Sequence, residues 1–142
     1  MNILDNVMKN IQTMTADDVI QALGRIYAEP VERDGLSAYP QFVQDAVFII
    51  DLDTELNMEG ISGLLENSTG RHIPKMITAL RNIAAEDEAA LLEEIYVLYR
   101  ENPDDERISD LADGLYPYTD FDIWPLLEDY IEVGKNEYET VE

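Results

Sequence analysis

Between Phe42 and Leu52 the chain reads FVQDAVFIIDL, a run that is apolar on most sides of a helix. Phe42, Val43, Ala46, Val47, Ile49 and Ile50 form a broad stripe, and Phe48 and Leu52 extend it around the cylinder. Such a helix has to be enclosed by others, because an apolar face left open would meet water. The predicted segment, from Pro40 to about Leu56, is therefore the central element of the fold. Pro40 suits a first helical turn, where no amide donor is needed.

Helical periodicity continues on both sides of it. Ile3, Val7, Ile11 and Met14 line one face of a first short helix. Thr15-Ala16-Asp17-Asp18 reads as a capping box with Asp18 in place of the usual Glu. It opens a second helix that runs through Val19, Ile20, Leu23, Ile26 and Tyr27 to Glu29, where Pro30 stops it. Val31 to Tyr39, with Asp34-Gly35, is predicted as a loop.

Asn57 to Gly70 is predicted as a short helix that ends in Asn67-Ser68-Thr69-Gly70. Pro74 opens a fifth helix that buries Ile73, Met76, Ile77, Leu80 and Ile83. Ala84-Ala85-Glu86-Asp87 joins it to a sixth, striped by Leu91, Leu92, Ile95, Leu98 and Tyr99 and ended by Asn102-Pro103. A seventh spans Glu106 to Leu115. After Tyr116-Pro117-Tyr118 a last one runs from Ile123 to Val133, and the polar residues 134–142 are expected to fray. No run of alternating apolar residues bounded by turns competes with this reading. The fold class is all-α, a compact bundle of about seven or eight short helices in one domain, residues 1–142.

Size and composition agree. A chain of 142 residues, 46% apolar, has enough apolar material for its own core. With no cysteine, disulfides and thiolate metal sites are excluded. Apolar runs such as Ala46 to Ile50 are too short to cross a bilayer, and Met1 to Asp5 has no basic-then-apolar leader pattern, so a cytoplasmic, bacterial setting is expected.

The outlying property is charge: 31 acidic residues against 9 basic ones, a net −22. Residues 1–71 carry −8 of it and residues 72–142 carry −14. Such a field repels nucleic acid and anionic membrane and attracts basic proteins. Solubility alone, or a salty cytoplasm, is the plain alternative explanation.

Recognisable catalytic chemistry is missing. Asp51, Asp53 and Glu55 begin like a calcium loop, but the positions that need Gly and Glu hold Leu56 and Ser62. His72 is the single histidine and has no HExxH partner, which makes it a residue of the helix start rather than a ligand. Phosphate-cradling glycine loops and GxSxG are absent. With so many carboxylates some pair is always close, so residue type alone argues for no acid–base dyad.

The sixth helix is more informative. Glu86 and Glu93 repeat at seven residues, as do Asp87, Glu94 and Glu101, opposite the leucine stripe. Seven residues rise about 10.5 Å, close to three base-pair steps of about 3.4 Å. Asp104, Asp105, Glu106, Asp110 and Asp113 prolong the negative surface. At about one charge per 1.7 Å of duplex axis, 22 charges match roughly one helical turn of DNA.

Glu55 to Gly70, ELNMEGISGLLENSTG, resembles the signature of the DMP-type DNA mimic protein family at Glu55, Asn57, Gly60, Asn67, Ser68 and Gly70. Glu59, Ile61 and Gly63-Leu64 depart from that signature, which has glycine, phenylalanine and a Gln–aromatic pair there. Ala79-Leu80-Arg81-Asn82-Ile83-Ala84-Ala85 is similar to a second family segment, with Ala84 where glycine is usual. Leu126 to Ile131 is similar to the family's last helix, so that the likeness covers about residues 40–133. The resemblance implies an acidic helical protein that occupies the DNA-binding surface of another protein. The matched Asn and Gly positions are expected to build the helix–turn–helix corner.

The functional expectation is an acidic interaction module, a DNA mimic that takes the nucleic-acid-binding surface of a basic protein such as a transcription regulator. Contacts would come from Glu86, Asp87, Glu93, Glu94, Glu101, Asp104, Asp105, Glu106, Asp110 and Asp113, supported by Tyr116 and Tyr118. No catalytic residue, metal, cofactor, direct nucleic-acid contact or membrane is expected, and a homodimer is compatible with the sequence. The alternatives are an antidote that neutralises a toxin, and an enzyme of unknown chemistry.

Overall fold

The structure, a computed structural model, describes residues 3–27, 33–58, 60–66, 72–113 and 123–141. Among them are eight α-helices and no strand: α1 (Ile3–Asn10), α2 (Ala16–Leu23), α3 (Gln41–Met58), α4 (Gly60–Glu66), α5 (Ile73–Asn82), α6 (Glu86–Glu101), α7 (Arg107–Ala112) and α8 (Ile123–Val141). The fold is the expected all-α bundle.

Helix α3 is the centre. Phe42, Val43, Ala46, Val47, Phe48, Ile49, Ile50, Leu52 and Leu56 are all buried, on every side of the cylinder. Four helices cover it: α5 and α4, then α8 and α2. Further out, α6 packs on α5 and α7 on α6, while α1 and α2 pack together on the other flank and α2 meets α8.

Local chemistry sets the helix ends. Thr15 accepts a hydrogen bond from the Asp18 amide at 3.0 Å, and the Thr15 amide donates to Asp18 Oδ2 at 3.1 Å. The capping box is complete despite the shorter acid, and a cap of this kind is worth about 1 kcal/mol. Helix α2 stops at Leu23, six residues before Glu29. From Gly24 to Tyr27 the chain tightens into a 3-10 turn, as helix C-termini commonly do, at a residue with no side chain to favour the wider coil. Pro30 lies outside the described residues. The predicted loop also holds a 3-10 helix, Arg33–Ala38, anchored by buried Leu36 and by Tyr39 N–H donating to the Leu36 carbonyl at 2.9 Å.

Gly60 has φ 73°, a left-handed conformation open to glycine, and it turns α3 into α4. Asn57 Nδ2 donates to the Asp53 carbonyl at 2.8 Å. Gly60 thus makes the corner that the resemblance implied, while the Asn57 bond stays within the last turn of α3. Asn67 to Gly70, and Glu59, lie outside the described residues.

The joint between α5 and α6 is a Schellman motif: Ala85 N–H donates to Leu80 O at 2.8 Å and Ala84 N–H to Arg81 O at 3.0 Å. Its pivot, Ala84, has φ 71°. The family's usual glycine at this position therefore has a backbone reason, and alanine here carries strain.

One expectation is overturned. The last helix does not end at Val133; α8 continues to Val141. Gly134 passes so close to α3 that a Cβ on it would lie 2.4 Å from Phe42 Cγ. Lys135 is buried, and its ammonium donates to the Met14 carbonyl. Glu132 Oε1 accepts from Ala16 N–H at 3.0 Å. Lys135, the first charge of the predicted tail, and Glu132 just before it are thus engaged by the α1–α2 joint, more than a hundred residues away in sequence. Helix α7, in contrast, is shorter than predicted, ending at Ala112.

Two substitutions test this geometry. Gly134→Ala gains helix propensity of up to about 1 kcal/mol but drives a methyl into the base of the buried Phe42 ring, and overpacking of that kind costs about 1–3 kcal/mol. The expected net result is a lower urea midpoint with an unchanged slope. Ala84→Gly relieves the left-handed strain and should raise stability by about 1 kcal/mol in the same measurement.

Candidate partner-binding surface

Along an α-helix, residues seven apart fall about 20° out of register, so the acids of α6 form two nearly parallel lines. One runs Glu86, Glu93, Arg100; the other runs Asp87, Glu94, Glu101. All six side chains are exposed. The first line is interrupted. Glu93 is salt-bridged to Arg81 of α5, and Arg100 closes the line with its guanidinium 5.6 Å from the Tyr96 ring centre. The second is acidic throughout and has no ion pair within 4.0 Å among the described residues.

The first turn of α6 holds Glu86, Asp87 and Glu88, which complement the positive end of the helix; no side chain caps it. Glu86 and Asp87 thus have a structural use independent of any partner. No such explanation covers Glu94 or Glu101.

Asp105 belongs to the turn into α7. Its carboxylate accepts from the Arg107 amide at 2.9 Å, from Nε at 3.1 Å and from Nη2 at 2.8 Å. These Arg107 hydrogen bonds hold the Asp105 carboxyl below the usual carboxylate range. Arg107 is itself shifted upward, first by Asp105 and then by the fields of Glu94 and Glu101, which places it beside the acidic line of α6. Asp104, Glu106, Asp110 and Asp113 are exposed. Asp113 sits at the C-terminal cap of α7, where a negative charge opposes the helix dipole, so it does not serve that helix. The predicted acids of α6, α7 and the turn between them are thus exposed apart from Asp105, and Glu93 and Asp105 are committed to arginines. Tyr116 and Tyr118 lie outside the described residues.

Val97 stands on the same face between Glu94 and Glu101, 47% exposed. A lone valine is ordinary on a surface, yet here it supplies an apolar contact within the acidic line.

Among the described residues three buried carboxyl groups had no place in the predicted surface: Glu88, Asp45 and Asp51. Glu88 is buried beside Ala89 and Leu92, and burial pushes its carboxyl above the ordinary value. Asp45, 1% exposed, accepts from Gln41 Nε2 and Asn82 Nδ2, both at 2.9 Å, and from the Tyr130 hydroxyl. The signal for Asp45 was present: an acid inside the apolar run of α3, as Asp51 is too. Two of its three partners, Asn82 and Tyr130, lie in the two later family-like segments, so those two segments meet at this carboxyl.

The other chemical candidates take structural places. His72 is buried with its ring 5.6 Å from that of Phe48. Asp51, Asp53 and Glu55 lie on the helical backbone of α3 instead of a loop, and among the described residues no group of three His, Cys, Asp or Glu could hold a metal ion. The cleft beside Asp45, lined by Gln41, Gln44, Phe48, Lys75 and Thr78, is about 210 Å³. Small-molecule sites usually span about 300–1,000 Å³. Nor, among the described residues, is any helix long and apolar enough to cross a membrane.

Residues 37–137 match the family model described as DMP19-like protein. The chain belongs to the DMP19-like protein family. No curated protein and no solved structure matches it. The family span begins just before α3 and ends within α8, so it contains the Asp45 junction and the whole α6–α7 face. Helices α1 and α2 fall outside it.

The buried Glu88 has a pH signature. Its carboxyl is raised in the folded state, so its favourable contribution is complete below the unfolded value and is lost as pH rises through the folded one. Glu88→Gln should therefore stabilise the protein at pH 7. The gain should vanish near pH 4 and below, where the acid is protonated in both states; urea midpoints at the two pH values measure it.

Proposed function

We propose that this DMP19-like chain is an acidic, non-catalytic interaction module that acts as a DNA mimic: it occupies the basic nucleic-acid-binding surface of a partner protein, such as a transcription regulator. The observation that carries the reading is the exposed line Asp87, Glu94, Glu101 on α6; Asp104, Glu106, Asp110 and Asp113, which follow it in the chain, are exposed as well. The sparing use of arginine supports it: Arg81 and Arg107 neutralise Glu93 and Asp105, while Asp87, Glu94 and Glu101 keep no such pair among the described residues.

Charge density limits how literal the mimicry is. The α6 line places one charge per about 10.5 Å, whereas duplex DNA places one per about 1.7 Å. Helix α6 alone does not reproduce a phosphate ladder. The α7 acids and the overall −22 supply the remaining field, which steers a basic partner while α6, with Val97, forms the contact.

The test starts with a DNA-binding protein captured from the host at low salt. Duplex DNA should displace it, and its affinity should fall steeply as salt rises. Replacing Asp87, Glu94 and Glu101 together by their amides should weaken binding by about tenfold or more, since each exposed charge contributes up to about 1 kcal/mol. Glu93→Gln should have a much smaller effect, because Arg81 already neutralises that residue. A complex that ignores both salt and competing DNA would overturn the mimic reading.

A further inference from the structure

A second surface lies on the opposite flank, where α2 meets α8. Asp17, Ile20 and Gln21 share one face of α2, and Trp124 and Glu128 share one face of α8. Together they line an open cleft of about 250 Å³. Small-molecule sites usually begin near 300 Å³ and are mostly enclosed, so this cleft suits one long side chain better than a metabolite. Its lining is specific in kind: an indole and an isoleucine for an apolar stem or a flat group, a carboxylate from each helix, and an amide. Trp124 is partly exposed, as is Glu128, and Asp17 is exposed.

We propose that this cleft receives one arginine side chain of a protein partner. A guanidinium is planar, stacks on an indole face, and presents donors in a fork that two carboxylates can accept. A carboxylate-bearing or neutral side chain meets two negative groups with nothing to offset them, in a chain that carries −22. Lysine satisfies the charge but not the flat stacking surface. The proposal rests on the interaction-module reading and adds a site to it, distant from the α6–α7 face and contributed half by α2, outside the span that matches the family.

The supports of the cleft are visible. Glu132, one turn beyond Glu128, accepts from Ala16 N–H at 3.0 Å, beside Asp17. The Thr15–Asp18 capping box fixes the start of α2, and Lys135 ties α8 to the Met14 carbonyl. Both walls are held by contacts that do not use the lining residues.

Trp124 is the single tryptophan of the chain, so its fluorescence reports on the cleft directly. The full-length protein is titrated with a capped Gly-Arg-Gly peptide, and in parallel with the lysine peptide and the citrulline peptide, which is the neutral shape match. The arginine peptide is expected to give a saturable change, the lysine peptide a weaker one and the citrulline peptide none. Asp17→Asn and Glu128→Gln should each weaken the arginine response by about threefold to fivefold, the range for one exposed charge pair. The triple amide variant of Asp87, Glu94 and Glu101 should leave it unchanged. Equal responses to arginine and citrulline, or indifference to Asp17→Asn and Glu128→Gln, overturn the cleft. Equal binding of lysine overturns the guanidinium assignment. If instead the cleft behaves as stated while DNA fails to compete for the captured partner, the arginine seat stands and the mimic reading falls.

Discussion

A buried carboxyl must find donors for its oxygens or cost several kcal/mol, and Asp45 finds them on three helices. Gln41 reaches it from one turn back on α3, Asn82 from the end of α5 and the Tyr130 hydroxyl from α8. Apolar packing tells α5 and α8 only to lie against α3; it tolerates sliding and rotation. Hydrogen bonds of fixed length to one point do not, and they set where along α3 each neighbour sits. The register of α5 in turn positions the Ala84 pivot, and through it the direction in which α6 leaves and the face it shows to solvent.

Charge is the second constraint. A chain at −22 repels itself, and its nine basic residues are too few to pair every acid. Several are placed where geometry needs them: Arg107 holds the turn into α7 through Asp105, Arg81 bridges α5 to α6 through Glu93, and Lys135 is committed to the Met14 carbonyl. The remaining acids, Glu94 and Glu101 above all, stay exposed beside an apolar contact point at Val97. Self-repulsion is the cost of that surface, and the interlocked core beneath it offsets the cost.

Much of the fold was legible because helix formation is local. The capping box at Thr15 and Asp18, the enclosed α3 and the proline start of α5 all follow from residues within four positions of each other. Boundaries failed where the deciding contact was remote. Gly134 reads as a helix terminator until Phe42, ninety-two positions earlier, is placed against it. Lys135 reads as part of a solvated tail until the α1–α2 joint arrives beside it.

The sequence by itself determined that this is an all-α chain, that α3 lies at its centre and that a row of acids faces away from the leucine stripe of α6. Each is a property of spacing, and spacing is present in the unfolded chain. Only the tertiary structure decided which acids remain available. Glu93 and Arg81 are twelve residues apart, and Asp45 and Tyr130 eighty-five. No periodicity carries information over such separations, since pairing of that range exists only once the helices have packed. Glu88 illustrates the same limit within a single helix: its neighbours Glu86 and Asp87 face water, and packing against the core turns Glu88 from a surface charge into a buried one.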